Sequence, residues 1–505
     1  MKYWNKVITL GVFFFLCGCE PFYDPVSTND VPASPGTVWN KKSFTVKKTS
    51  ENPYDASDLS RTMSLSQLLN IALYNNPSTR ASWHAARASS YAYRASLSAY
   101  YPAIIYVGTL DAQSFRGSTY ASSGNAIISN NTTTPLTRTA SYSTYLINNL
   151  NLTFLLFDFG GRQATIDAAL QTLYASNWQH DYTMQQVMLS VLNAYISYIG
   201  NKGLVEAFAK NLQDAEVALK SAQAMFEAGL ATLTDVLSAQ ANLEQTRSSL
   251  FQAEGSEKTA FGEILIAIGL PPDSPISVET LPQELPVIEI SGNISELLEL
   301  AKKKRPDLGI AIAAIKQQED LLAISYSSSM PTFSANANWT QVRFIWPRKP
   351  SGYNETAFCG MNFPIFQGFY YMNQQRQIRA QIEKAMANLD VQVAAVSTEV
   401  ITNYYSFKAA EAALPSSAAA VEFSQRAYRG FVVQYKTGTA SITAMLTALT
   451  ALSNARAQEI ITRTQWAGSL ANLAFSVGIL DENSGEFREA PPKKLSQISI
   501  QDENE

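Results

Sequence analysis

The sequence predicts a mixed α and β membrane protein built from two similar halves, in which short runs of strand continue into long coiled-coil helices. Three observations predict it: an internal repeat at fixed offsets, four segments of period-two alternation, and long stretches with apolar residues three and four apart. Composition agrees. Of 505 residues, 16% are charged and 46% hydrophobic, where a soluble domain carries about 25% charged residues. Low charge without a long apolar run argues against a helical membrane protein and against an ordinary soluble enzyme. The net charge of −4 excludes a nucleic-acid binder on bulk electrostatics. Two His and three Cys leave little material for a zinc site or a Cys/His nucleophile. No catalytic residue, metal ligand or cofactor is assigned.

The repeat comes first because it decides the organisation. Ser64-Leu65-Ser66-Gln67-Leu68-Leu69 recurs 229 residues on as Asn293-Ile294-Ser295-Glu296-Leu297-Leu298, and Asn76-Pro77 and Tyr101-Pro102 recur at the same offset as Arg305-Pro306 and Met330-Pro331. Beyond a gap the offset is 209: Phe154–Phe157 matches Phe363–Phe366, Arg247 matches Arg456, and Ile268-Gly269-Leu270 matches Val477-Gly478-Ile479. Length alone allows three or four compact domains at about 150 residues each. The repeat replaces that count with one elongated unit in two parts, 64–270 and 293–480, joined by a Pro-rich linker, 271–292.

The N-terminus has a basic start and a ten-residue apolar run, Val7–Leu16, too short to span a bilayer, which needs about 20 residues. It reads as a signal peptide, residues 1–18. Leu16-Cys17-Gly18-Cys19 resembles the bacterial lipobox, with Cys19 as the lipid acceptor and Glu20 after it, where an Asp would favour inner-membrane retention. Residues 19–63 read as a lipid-anchored strap, and 481–505, with 7 acidic and 3 basic residues, as a flexible tail.

Within each half, Ser64 with Gln67 and Asn293 with Glu296 predict capping boxes, and Pro77 and Pro306 predict the first turn of a second helix. Alternation then predicts two strands of about ten residues per half, in hairpins at about 102–157 and 332–366. Ser334, Asn336, Asn338 and Thr340 alternate with Phe333, Ala335, Ala337 and Trp339; Cys359 falls on the apolar phase of its strand. The uncharged tract 117–137 reads as a long loop. Polar-in, apolar-out strands fit a membrane β-barrel, and alternation fits a sheet with one wet face equally. Four strands cannot close a barrel, and an open edge is not tolerated in lipid. Membrane strands here therefore demand several subunits.

After each hairpin a coiled-coil seam runs from Val187 to Phe226 and from Val396 to Tyr435. A helix over Arg162–Phe226 is about 98 Å long at ~1.5 Å per residue, close to the summed length of Ser78–Tyr100 and Ala231–Ile268. The two shorter helices can stack beside the long one. Pro415 predicts a kink in the second half alone, since its counterpart is Glu206. Gly229 and Gly438 mark tips where each long helix turns back. Thr232 with Asp235, and Ser441, open the returning helices.

This duplicated order resembles the outer-membrane efflux protein (TolC-like) family, in its lipoprotein branch. So do Leu156-Phe157-Asp158-Phe159-Gly160-Gly161-Arg162 and Gly229-Leu230-Ala231-Thr232-Leu233-Thr234-Asp235-Val236-Leu237. The resemblance implies a homotrimer with a twelve-stranded outer-membrane barrel continued by an α-helical tunnel into the periplasm. It also implies a periplasmic adaptor and a proton- or ATP-driven inner-membrane pump as partners, and no catalysis. The tips Gly229, Thr232, Asp235, Gly438 and Ser441 would dock the adaptor; equally, they build the turns. Tyr435 would serve as a gate element or as a seam residue. The gate carboxylates common beyond the second tip are absent: Ala444 and Thr447 stand there, and Ala440 replaces a basic residue. His84 and His180 read as surface or packing residues, and Lys302-Lys303-Lys304-Arg305 as a solvated face. The leading function is an exit duct for small molecules such as drugs, toxic compounds or metals. The alternatives are a type I protein-secretion outlet and, from another class, a lipid-anchored periplasmic scaffold without a pore.

Overall fold

The computed structural model describes residues 34–37, 62–120, 136–271, 274, 276–279, 293–347 and 350–480. Cys19, the signal peptide, the acidic tail and most of the strap and linker lie outside the described residues. In chain order, β1 (Thr62–Met63), α1 (Leu65–Asn75) and α2 (Pro77–Ser96) lead through a 3₁₀ turn to β2 (Ala103–Tyr120) and β3 (Leu136–Phe157). Then come α3 (Gly161–Glu227), α4 (Leu233–Ala267) and β4 (Ser277–Val278). The second half follows with α5 (Ile294–Lys304), α6 (Pro306–Ser328), β5 (Thr332–Trp346), β6 (Gly352–Asn362), α7 (Tyr370–Lys436) and α8 (Ile442–Val477). The chain divides into two compact units: 1–90, 173–313 and 387–505 form one, and 91–172 with 314–386 the other.

In the first unit the repeat is a repeat of packing. Leu68, Val191, Ile264 and Ile268 share one buried cluster, and their counterparts Leu297, Val400, Leu473 and Val477 share another. The corners correspond as well. Asn76 Nδ2 donates to the Ala267 carbonyl at 2.9 Å, and Arg305, its counterpart, donates to the Ser476 carbonyl at 3.1 Å. Helix starts follow local chemistry. Ser64 and Gln67 form the capping box. Asn293 does not cap with its side chain; the Glu296 N–H meets the Asn293 backbone carbonyl at 2.9 Å instead. α7 continues through Pro415. β1 and β4 pair in parallel beside the first cluster.

The second unit carries an antiparallel sheet of order β2-β3-β5-β6. Its two hairpins have the same register: Ala103 faces Thr153 and Thr332 faces Asn362, positions related by the same two offsets, 229 and 209. Alternation sorts the faces as read. Leu150, Trp339, Ala337 and Cys359 lie on one face, and Asn149, Asn151, Asn338 and Thr356 on the other. Three strands exceed the expected ten or so residues, spanning 18, 22 and 15, while β6 at 11 matches it. The two ends of the tract read as a loop, 117–120 and 136–137, are strand, because Ser, Thr and Tyr fit a pleated surface and the ladder continues to Tyr120 opposite Leu136; 121–135 lie outside the described residues. At both strand-to-helix junctions two consecutive residues take positive φ, Phe159 and Gly160 in one, Gly368 and Phe369 in the other. Arg162 fastens the first junction, donating to the Leu155 and Leu156 carbonyls at 2.8 and 3.2 Å while its own N–H reaches Asp158 at 2.5 Å.

Candidate functional site

The two tips are built alike from backbone chemistry. After α3 the Gly229 N–H reaches the Phe226 carbonyl at 2.9 Å and the Leu230 N–H the Met225 carbonyl at 2.8 Å. After α7 the Gly438 N–H reaches Tyr435 at 3.0 Å and the Thr439 N–H reaches Gln434 at 2.8 Å. This is the helix stop that requires a left-handed residue, and φ is 73° at both glycines. Thr232 and Asp235 form a reciprocal capping box, with the Thr232 N–H on Asp235 Oδ2 at 2.8 Å. Ser441 caps α8 through the Ala444 N–H at 3.2 Å. With Ala444 where a carboxylate would complete the box, that cap is half of its counterpart.

The tips differ in what they show to solvent. Leu230 is 72% exposed and Leu237 59%. In the second tip Ile442 is buried, in one cluster with Ala222, Ala239, Tyr435 and Met445. Sequence reasoning assigned roles at this tip to Gly229, Thr232 and Asp235; the two leucines stood inside the same motif without a role of their own. Tyr435 is 4% exposed and its hydroxyl meets no hydrogen-bond partner among the described residues. Burial raises the phenol pKa, and the Asp235 carboxylate of the other tip adds to the rise.

Farther along these helices Arg456 joins the halves. It donates to Asn211 Oδ1 and Asp214 Oδ2, both at 2.7 Å, while the Tyr428 hydroxyl reaches the Asp214 carbonyl at 3.0 Å. The repeat had pointed to Arg456, but its partners on α3 carry no sequence signal. Arg247, its counterpart, is only half-buried and paired with Glu244 one turn away on its own helix.

The run read as a solvated face splits. Lys302, Lys303 and Lys304 are exposed, but Arg305 is 7% exposed, held by Asp307 and Glu399. The reason is the Pro306 corner, which turns residue 305 inward against α7 and α8. Burial opposes its charge, yet the hydrogen bonds and charges of the two carboxylates outweigh that and raise its pKa. Cys359 is exposed. His84 is exposed, and no cluster of His, Cys, Asp and Glu fit to hold a metal occurs among the described residues. No helix among them is long and apolar enough to cross a membrane.

His180 is fully buried, with Nδ1 2.8 Å from Ser82 Oγ and Nε2 3.3 Å from the Thr37 carbonyl. Burial lowers its pKa from 6.5 to about 4, against the opposing pull of that carbonyl. The unfolded chain therefore binds the proton first. The fold keeps its full stability above pH 6.5 and loses it as pH falls toward 4, about 3 kcal/mol in all. His180→Gln should flatten this part of the profile of unfolding midpoint against pH.

A family model described as outer membrane efflux protein matches residues 68–270 and 297–479. Among curated relatives, the chain is 24% identical to protein CyaE of Bordetella pertussis over 445 residues, covering 86% of this chain and 87% of that one. It is 24% identical to the outer membrane efflux protein BepC of Brucella suis over 306 residues, 60% of this chain and 65% of that one. Among solved structures, the outer-membrane channel OprN superposes with a TM-score of 0.69 at 18% identity, covering 86% of this chain and 96% of that one.

Proposed function

Because the chain belongs to the outer membrane efflux protein family, a family of channels without catalysis that extend from the outer membrane into the periplasm, we propose that it is the trimeric exit duct of a tripartite system exporting small molecules. The observation that carries this reading is the four-stranded sheet with one apolar and one polar face and two edges unpaired among the described residues. A lipid-facing sheet cannot leave edges open, so three copies would complete a twelve-stranded barrel with the Leu150, Trp339 and Cys359 face toward lipid. A scaffold without a pore has no use for such faces. In this reading Cys19 carries the lipid, and an adaptor docks at Gly229, Thr232, Asp235, Gly438 and Ser441. An inner-membrane pump, proton- or ATP-driven, supplies the energy.

Tyr435 is the gate element of the proposal. Its hydroxyl has no partner to lose among the described residues, so Tyr435→Phe should leave conductance unchanged in planar bilayers, while Tyr435→Ala should raise it. A purified protein that conducts in neither form overturns the channel reading. The likeness to CyaE supports a second reading, the outlet of a type I protein-secretion system. Deleting the gene distinguishes them: raised sensitivity to drugs or metals with a normal secreted protein profile supports small-molecule efflux, and loss of one large secreted protein supports the outlet. Lipidation has its own test, since Cys19→Ala should abolish incorporation of labelled palmitate.

A further inference from the structure

We propose that Asp111 sets the charge preference of the duct, through three carboxylates at one height in the mouth of the barrel that favour positively charged over negatively charged solutes. The proposal rests on the trimeric channel reading and names the class of solute that passes most readily.

Among the sheet residues whose side chains are described, three are charged: Asp111, Arg343 and Glu355. They do not share a face. Arg343 pairs with Leu146 and Glu355 with Trp339, both in rows of the apolar face. Asp111 pairs with Tyr145, which has the phase of Asn149 and Asn151 on the polar face. The ladder from Ala103 to Tyr120 has no register shift, and only a shift of one residue would move Asp111 to the other side. Side-chain bonds agree. The Tyr145 hydroxyl donates to Asp111 Oδ2 at 3.0 Å, and Gln113 Nε2, two residues on, donates to the same oxygen at 3.4 Å. The other polar side chains of that face, among them Asn149, Asn151, Asn338, Thr340 and Thr356, are neutral amides and hydroxyls. Neutral dipoles turn to suit a solute of either sign, whereas a fixed carboxylate does not.

Height matters as much as face. β2 begins at Ala103, and Asp111 lies about 20 Å farther along the barrel axis, at ~3.3 Å per residue and ~40° of strand tilt. Tyr145, opposite it, pairs in turn with Phe344, close to the end of β5 at Trp346. The carboxylate therefore stands at the end of the four-stranded part that lies away from the strand-to-helix junctions. One such group per chain puts three at the same height, about 10 Å from the axis of a twelve-stranded barrel. Rings of side-chain carboxylates select cations in this way. With a screening length of ~10 Å at 0.1 M salt, three unit charges at that distance favour a monovalent cation over an anion by about fivefold. The second tip offers no rival, since α8 carries no carboxylate between Ile442 and Gln458. The first tip does, in Asp235, and it serves as the comparison.

The test is the ratio of K⁺ to Cl⁻ permeability of the full-length protein in planar bilayers, read from the reversal potential in a KCl gradient, in wild-type and Tyr435→Ala backgrounds. The unsubstituted mouth should favour K⁺ by about fivefold. Asp111→Asn should bring the ratio to about 1 while still offering the Tyr145 hydroxyl an acceptor. Asp111→Glu should keep the preference, and Asp111→Lys should invert it. Tyr145→Phe removes the hydrogen bond and keeps the charge, so it should leave the ratio near its starting value; a purely structural role for Asp111 would not separate these variants. A conducting protein whose ratio is unmoved by Asp111→Asn, or falls with Asp235→Asn instead, overturns the assignment and leaves the channel reading standing. A protein that conducts in no form overturns both.

Discussion

Arg305→Ala should destabilise the helical unit by about 3–5 kcal/mol, the range for removing one partner of a buried ion pair. Arg305 donates to both Asp307 oxygens at 3.1 and 2.8 Å, to Glu399 at 2.6 Å and to the Ser476 carbonyl at 3.1 Å. Asp307 keeps only neutral donors when the guanidinium is gone, the Leu308 N–H at 3.0 Å and Gln392 Nε2 at 2.8 Å. Its side chain is 10% exposed, so water cannot replace the lost charge. Glu399, at 36%, can rehydrate and contributes less. Arg305→Lys should recover a minor part, because an ammonium cannot fork across a carboxylate. Arg305→Met with Asp307→Leu should cost less than Arg305→Ala alone, since no buried charge is left unpaired. The first half supplies the control. Asn76 makes the equivalent carbonyl contact without a charge, and Asn76→Ala should cost about 1 kcal/mol, the net worth of an ordinary hydrogen bond. Unfolding midpoints in detergent rank the four variants. Equal losses for Asn76→Ala and Arg305→Ala would show that the corner contact matters and the charge does not.

How legible this protein is depends on the range of the interaction that decides each residue. Side-chain alternation along Thr332–Trp346 and the helix stops at Gly229 and Gly438 are decided by neighbours within a few positions, and both read directly from the chain. The repeat made two halves out of 505 residues before any packing was known. Strand ends were misread because the Ser, Thr and Asn tract has loop composition, while its pairing depends on a partner strand. Asn293 has the residue type of a cap, but the Glu296 N–H bonds its backbone carbonyl and not its side chain. Arg305 looked solvated because it closes a run of lysines, and Glu399 lies 94 residues away. Tyr435 shows a further limit: periodicity places it on the seam, and only the fold brings Asp235 of the other tip toward it.

Gly269→Ala should cost about 2–5 kcal/mol, from about 1–2 for a left-handed backbone and about 1–3 for overpacking. Gly269 has φ 75°, and a Cβ there would lie 2.9 Å from the Asn75 carbonyl oxygen and 3.0 Å from the Asn76 Cα. Both neighbours are backbone at the corner between α1 and α2, pinned by the Asn76 bond to Ala267, so neither can rotate away. The repeat again supplies graded controls. Gly478 has φ 77° and meets the same corner of the second half, but its nearest contact is 3.2 Å. Gly229 has φ 73° with nothing within 4 Å, so Gly229→Ala should show the conformational cost alone, about 1–2 kcal/mol. The expected order is Gly269→Ala worst, Gly478→Ala next and Gly229→Ala least, read as unfolding midpoints of the three proteins. Asn tolerates left-handed φ better than Ala, so Gly229→Asn should recover much of the loss at the tip. Gly269→Asn should not, because the corner leaves no room for any Cβ. If the three Ala variants lose the same amount, backbone conformation accounts for the whole cost and the close approach of the corners contributes none.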